Sequence, residues 1–156
     1  MDEYPATVFK CLSFYELDLD QLYEVMAFRQ AVFVVEQNCP YLDADGKDQQ
    51  AYHLLGYRDG SLVAYTRLLP PGLSYSGYAS IGRVITSAAV RGTGAGRQLM
   101  EESLARIASL FSNPAIKISA QCYLTSFYES LGFTTLGASY LEDGIPHIAM
   151  VREGGG

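Results

Sequence analysis

Arg91-Gly92-Thr93-Gly94-Ala95-Gly96-Arg97 joins two segments of different periodicity. Before it, Ala79 to Thr86 has the β-rich pattern of a strand. After it, Arg97 to Phe111 carries Met100, Ser103, Leu104, Ile107, Leu110 and Phe111 at the spacing of one helical face. Glycines at such a junction let the backbone approach a ligand, and the first N–H groups of the helix have no partner within it. Those donors, the helix dipole and the guanidinium groups of Arg91 and Arg97 make a site for a phosphate or pyrophosphate. The same glycines also read as a flexible turn leading into a helix, and both readings stand at this point. Spacing excludes two familiar nucleotide loops. A P-loop requires Lys-Ser or Lys-Thr after its last glycine, and neither follows here. The dinucleotide pattern G-x-G-x-x-G needs glycine where the chain has Arg97 or Leu99. What remains is R-x-x-G-x-G on Arg91, Gly94 and Gly96.

Outward from this junction the pattern is α/β. Thr7 to Ser13 alternates as a first strand. Asp18 or Asp20 can cap a helix whose apolar stripe is Leu19, Leu22, Tyr23, Met26, Ala27 and Ala31. Ala31-Val32-Phe33-Val34-Val35 fits helix or strand equally. Asn38 to Gln50 is a polar loop. Tyr52 to Arg58 and Ser61 to Leu69 flank Asp59-Gly60, which predicts a hairpin with a type I′ turn. Asn113-Pro114 stops the long helix, and Ala115 to Gln121 supplies another strand. Leu124 to Leu131 is a short helix closed by Gly132. Phe133 to Tyr140 and Ile145 to Arg152 are strands around Glu142-Asp143-Gly144. The order β-α-β-β-β-α-β-α-β-β implies a mixed sheet, with a parallel pair in the unit from 79 to 121.

Length and composition narrow the function classes. The chain has 156 residues, enough for one domain over 1–153, with Gly154 to Gly156 as a tail. Apolar residues make up 49% and charged residues 18%, which excludes a disordered chain. A net charge of −6 argues against nucleic acid as a partner. Met1-Asp2-Glu3-Tyr4-Pro5 lacks the basic-then-apolar order of a signal peptide. The longest apolar run, Ala31 to Val35, is far short of the roughly 20 residues that span a bilayer, so no membrane partner is expected. Cys11, Cys39 and Cys122 are widely spaced and odd in number, as for reduced thiols in the cytoplasm. With His53 and His147 they show no zinc spacing, and no metal is expected. Asp43-Ala44-Asp45-Gly46-Lys47-Asp48 fails as a calcium loop and is expected to be a solvated turn.

The R-x-x-G-x-G of Arg91 to Gly96 resembles the pyrophosphate-binding motif of the GCN5-related N-acetyltransferase (GNAT) superfamily. The resemblance runs from the first strand to Val151. Within it, Ala31 to Tyr41, Ile81-Gly82-Arg83-Val84, Phe127-Tyr128 with Gly132-Phe133, and Glu142 to Ile148 resemble the ElaA-type subfamily of bacterial acetyltransferases. This resemblance implies the acyl-CoA N-acyltransferase fold: a central mixed, mostly antiparallel sheet flanked by helices, filling 1–153 as a single acetyltransferase domain. It implies acetyl-CoA as co-substrate and direct transfer to a primary amine of a small molecule or peptide. Val84 and Ile85 are then expected to meet the pantetheine arm through their backbone. Arg91, Gly92, Thr93, Gly94, Ala95, Gly96 and Arg97 are expected to hold the pyrophosphate.

Acyl transfer to an amine needs a neutral nucleophile, a stabilised oxyanion and a proton for the departing thiolate. The resemblance puts Tyr128 in the proton-donor position; a phenol of pKa about 10 stays protonated at neutral pH. By position it is equally a core tyrosine beside Phe127. Glu36, Asp43, Asp45, Asp48, His53, Glu142, Asp143 and His147 are candidate bases, and His147 has the side chain that best suits neutral pH. Water can also relay that proton. No cysteine carries the cues of an activated nucleophile. Two other readings compete. One is an acyl-CoA-binding sensor without chemistry. The other is an acyl-homoserine-lactone-synthase-like enzyme, which Arg29-x-x-Val32-Phe33 resembles, although those residues equally make an amphipathic helix with an exposed arginine. The absence of Trp counts against that relation. The aspartates at 43–48 and 142–143 point to a cationic acceptor such as a polyamine or lysine. A homodimer is left open.

Overall fold

The computed structural model describes residues 6–155, so Met1 to Pro5 and Gly156 lie outside the described residues. The elements are β1 (Val8–Ser13), α1 (Leu19–Arg29), β2 (Tyr52–Arg58), β3 (Ser61–Leu69), β4 (Ser80–Thr86), α2 (Ala95–Phe111), β5 (Ile116–Gln121), α3 (Thr125–Glu129), β6 (Thr134–Glu142) and β7 (Ile145–Arg152).

Of the two expected caps, Asp18 starts α1. Its Oδ1 accepts from the Gln21 N–H at 2.7 Å, and Gln21 Oε1 accepts from the Asp18 N–H at 3.0 Å. The apolar stripe expected for this helix is displaced. Leu19 and Tyr23 are 85% and 79% exposed, whereas Val25 and Arg29 are buried. The inward face docks on Leu55, Tyr65 and Ile85 of the sheet, with Phe28 and Val32 packed alongside. Beyond Arg29 the chain is neither strand nor α-helix: Gln30–Glu36 is a π-helix, with Gln37 N–H bonded to Val32 O at 3.1 Å. The wider turn adds one residue per hydrogen-bonded ring and swings the end of the segment toward the strand-to-helix loop.

Asp59 and Gly60 have φ of 50° and 77°, as the type I′ hairpin requires. The sheet expected from the pattern divides in two, ordered β1-β2-β3-β4 and β5-β7-β6, and the pairs within each are antiparallel. The expected parallel contact is a bridge between Ala79 and Ile116, held by Ala79 N–H to Ala115 O at 3.0 Å and Lys117 N–H to Ala79 O at 2.9 Å. β4 and β5 adjoin there but belong to different sheets.

Helix α2 lies against both sheets. Met100, Ser103 and Ile107 are buried as its periodicity predicts, and Ala95 and Leu99 extend the buried face. Met100 and Ile107 pack with Leu68, Ile81, Ile116, Ile118, Phe133 and Met150, and Ala95 and Leu99 with Leu54, Val63, Ala64 and Val90. Burying each large side chain contributes about 1.5–3 kcal/mol, so this core fixes how the two sheets meet. Gly132 closes the turn after α3 with φ of 96°, a left-handed conformation that favours glycine. Gly154, read from sequence as part of a tail, lies against Asn113, where a Cβ would stand 2.7 Å from the carbonyl oxygen.

Candidate active site

A cleft of about 530 Å³ lies between β4 and β5, lined by Ile81 to Val84 on one side and by Ile118, Ser119 and Gln121 on the other. Its β4 wall carries a bulge. Tyr65 pairs with Ile85 and Arg67 with Gly82, so Arg83 and Val84 together stand opposite Thr66. A bulge leaves its extra residue out of the ladder, which frees backbone groups beside Val84 and Ile85 for a ligand. Arg83 takes φ of 50° to make the bulge, a strained conformation for a non-glycine residue. Its Nε donates to Asp43 Oδ1 at 2.8 Å and its Nη2 to the Asp43 carbonyl at 3.0 Å, which offsets that strain.

Helix α2 points its N-terminus out of the loop predicted to bind an anion. Gly94 is the N-cap, with φ of 83°, and no side chain caps the first turn. Nothing lies within 4 Å of a Cβ built on Gly92, Gly94 or Gly96, so the backbone there is open to close approach by a ligand. Thr93 folds back, its hydroxyl donating to Val90 O at 2.5 Å. Both flanking arginines are engaged within the protein. Arg91 donates to Glu36 Oε1 at 2.5 Å and to Thr86 O at 3.2 Å. Arg97 reaches Ser130 Oγ at 2.5 Å and lies over the Phe127 ring, tying the start of α2 to α3.

That tie positions Tyr128. Its ring packs edge-on against Phe127 and Phe133 at 5.2 and 5.9 Å, so it is a core residue. It also lines the cleft, and its hydroxyl makes no hydrogen bond to the described residues. Burial, with a smaller contribution from Tyr123, pushes its phenol up to about 12, which keeps it protonated. The same cleft receives His147 from β7, paired in register with Gln121 and Tyr140. The His147 Nδ1 lies 2.7 Å from Ile145 O, which places a proton on Nδ1 and leaves Nε2 bare in the neutral ring. Nε2 faces Glu142 Oε2 at 3.4 Å. Glu142 Oε1 in turn accepts from the Ser119 hydroxyl at 3.2 Å, and Ser119 meets the Tyr140 hydroxyl.

Two expectations fail at the loop from residue 38 to 50. Arg29 is fully buried rather than exposed, with Nε 2.8 Å from Asp43 Oδ2 and Nη1 2.7 Å from Asp48 Oδ1. The aspartates are not a solvated turn: Asp43 and Asp48 are buried, and Arg67 grips Asp45 Oδ1 at 2.8 Å and Asp48 Oδ1 at 3.0 Å. Burial would raise the Asp45 and Asp48 carboxyls, but Arg67, joined at Asp48 by Arg29, holds both below their ordinary range. Neutralised in this way, the three aspartates cannot serve as the acidic face expected to draw a cationic acceptor. His53 is also unfit as a base, since it is buried, with Nδ1 2.6 Å from the Tyr65 hydroxyl. The sequence did carry a signal for this network: Arg67 and Arg83 each interrupt an apolar strand, and an arginine that enters a core has to bring a partner.

Among the described residues no group of three or more His, Cys, Asp or Glu is placed to hold a metal, and no helix is long and apolar enough to cross a membrane.

An uncapped glycine-led helix beside splayed strands, with a bulge in one of them, is the architecture of an acyl-CoA N-acyltransferase. The chain belongs to the Acetyltransferase (GNAT) domain family, whose profile matches residues 21–153. Its relatives include the Escherichia coli protein ElaA, 45% identical over 140 residues and covering 88% of this chain and 91% of ElaA. UPF0039 protein sll0451 of Synechocystis is 46% identical over 139 residues, covering 88% of this chain and 90% of its own. Among solved structures, an acyl-CoA N-acyltransferase from Pseudomonas aeruginosa superposes with a TM-score of 0.90 at 43% identity, covering 94% of this chain and 99% of its own.

Proposed function

We propose that the chain is a cytoplasmic N-acetyltransferase that passes the acetyl group of acetyl-CoA directly to a primary amine. The observation that supports this most is the uncapped first turn of α2, open at Gly92, Gly94 and Gly96 and joined through Arg97 to the helix bearing Tyr128. A pyrophosphate suits those N–H groups and the helix dipole. Bound acetyl-CoA supplies the activated acyl carbon and a thiolate leaving group.

The protein does the rest. Backbone groups at the Val84 and Ile85 bulge hold the pantetheine arm and face the thioester oxygen, where a donor lowers the barrier as charge develops. His147 Nε2 takes a proton from the attacking amine, and the Tyr128 hydroxyl gives one to the departing sulfur. A covalent acyl-enzyme on Cys11 has little support, since that thiol does not line the cleft and burial pushes its pKa up.

Thermal melts with acetyl-CoA, coenzyme A, NAD and ATP test the reading. At a hundredfold excess over Kd a ligand adds about 2.7 kcal/mol, which in a chain of this size raises Tm by roughly 5–10 °C. Shifts with both coenzyme A species and none with NAD or ATP are expected; the reverse, or no shift, removes the proposal. Glu36 refines the test. Its carboxylate occupies Arg91, and that guanidinium holds it below its usual range by hydrogen bonding. Glu36→Gln frees Arg91 for the pyrophosphate, and because the pair is exposed and screened, the expected gain in coenzyme A affinity is no more than a few-fold. Calorimetric titration that finds weaker binding would show that the pair orders the loop instead.

A further inference from the structure

With Asp43, Asp45 and Asp48 occupied by arginines, the charges left to meet a ligand in the cleft lie at two places. Lys47 lines it with its Nζ donating to Ser74 Oγ at 2.9 Å, and it makes no ion pair within the described residues. Glu142 and Asp143 line it from the turn between β6 and β7. Glu142 has two neighbours: its Oε1 accepts from the Ser119 hydroxyl at 3.2 Å, and its Oε2 faces His147. His147 Nε2, on a side chain 9% exposed, and Glu142 Oε2 face each other at 3.4 Å, and with Nδ1 committed to Ile145 O it is Nε2 that meets the cleft. An ammonium that bridges the pair from the cleft side donates to the Glu142 carboxylate and, where the ring is neutral, to Nε2 as well. Tyr75 and Tyr140 flank this place: burial, then the nearness of Tyr140 and Glu142, push the Tyr75 phenol up. Tyr75 also follows Ser74, the partner of Lys47, so the segment that meets Lys47 lies within electrostatic reach of Glu142.

We infer that the acceptor is a zwitterion, an amino acid or similar amine-bearing carboxylic acid, whose amine docks between Glu142 and His147 and whose carboxylate docks on Lys47 and the Ser74 hydroxyl. This rests on the acetyl-transfer reading and names its substrate class. A polyamine, which a cationic cleft partner would otherwise suggest, brings a second ammonium toward Lys47 and is repelled there. The ammonium loses one proton to solvent as it enters and presents a neutral nitrogen with an N–H directed at His147 Nε2; as that nitrogen bonds to the acyl carbon and the carbon–sulfur bond breaks, the N–H proton passes to Nε2 and Tyr128 gives one to the sulfur.

An acceptor series with acetyl-CoA tests this: free amino acids, the matching amino acid amides, and simple diamines, followed by coenzyme A release and product mass. The free acids are expected to exceed the amides and diamines in kcat/KM by tenfold or more. Lys47→Ala should raise KM for the acids by a similar factor and erase the difference between acid and amide, while Lys47→Arg restores it. Glu142→Gln should raise KM for acids and amides together. Amides or diamines that match the acids in wild type, or a Lys47→Ala variant that keeps the preference, overturn the inference and leave acetyl transfer standing. No coenzyme A release with any amine, from protein that coenzyme A stabilises, overturns acetyl transfer to an amine and this inference with it.

Discussion

Tyr128→Phe is expected to lower kcat for acetyl transfer by about 10²–10⁴ and to leave the fold intact. Both parts follow from where the ring and the hydroxyl lie. The ring is held edge-on between Phe127 and Phe133, contacts that phenylalanine keeps. The hydroxyl makes no hydrogen bond to the described residues, so removing it strands no partner, and stability should change by less than about 1 kcal/mol. The chemistry is less forgiving. A phenol near 12 that protonated a thiolate of ordinary pKa, about 8.5, would work uphill by roughly 5 kcal/mol. Transfer becomes practicable where the thiolate forms in the same buried surroundings, because desolvation raises its basicity as well. Steady-state rates and a melt on one preparation decide the matter. A variant with a normal Tm and kcat within a few-fold of wild type would place Tyr128 in the core and nowhere else.

Arg29→Met is expected to cost about 3–5 kcal/mol, the largest stability loss of any substitution considered, although it touches neither the loop nor Tyr128. The guanidinium is completely buried and bonds Asp43 and Asp48 together, and its removal leaves two carboxylates in the interior with Arg67, Arg83 and the Tyr41 hydroxyl as partners. At roughly 2–4 °C per kcal/mol, Tm should fall by about 6–20 °C. The i,i+4 pair Arg106–Glu102 at 2.9 Å is the control: it is partly exposed on α2, and Glu102→Ala should cost about 0.5 kcal/mol or less. Equal losses from the two variants would mean that the buried network is as screened as the surface pair. Asp43 also accepts from Arg83 at the bulge, so Arg29→Met should loosen the cleft wall and raise acceptor KM before it affects coenzyme A binding.

How much of this was legible in the sequence differs from one element to the next. The hairpin turn was, because Asp59-Gly60 is one of few dipeptides that accept two positive φ values in succession. Helix α2 was, because its core face recurs at Met100, Ser103 and Ile107. The stripe of α1 was not: Leu19 and Tyr23 are apolar yet face solvent, while the charged Arg29 faces in. Apolarity sets which residues tolerate burial, but the docking of α1 on β2, β3 and β4 sets which are buried, and the carboxylates that repay Arg29 come from a loop more than a dozen residues away. The run Ala31 to Val35 was undecidable for a related reason, since an inserted π-turn leaves no periodic trace in so short a segment.

The candidate site divides along the same line. By itself the sequence determined the order of elements, the uncapped glycine turn before α2 and the presence of a tyrosine and a histidine able to move protons. Each of these depends on residues within a few positions of one another, where backbone sterics and helix geometry act directly. Only the tertiary structure decided that Tyr128 and His147 share a cleft and that Glu36 holds Arg91. It also decided that the aspartates of residues 43–48 pair with arginines while Glu142, Asp143 and Lys47 line the cleft. Charge in a sequence is a count; whether it meets substrate, solvent or an opposite charge depends on distances that folding alone sets, and the energy of each encounter changes with burial.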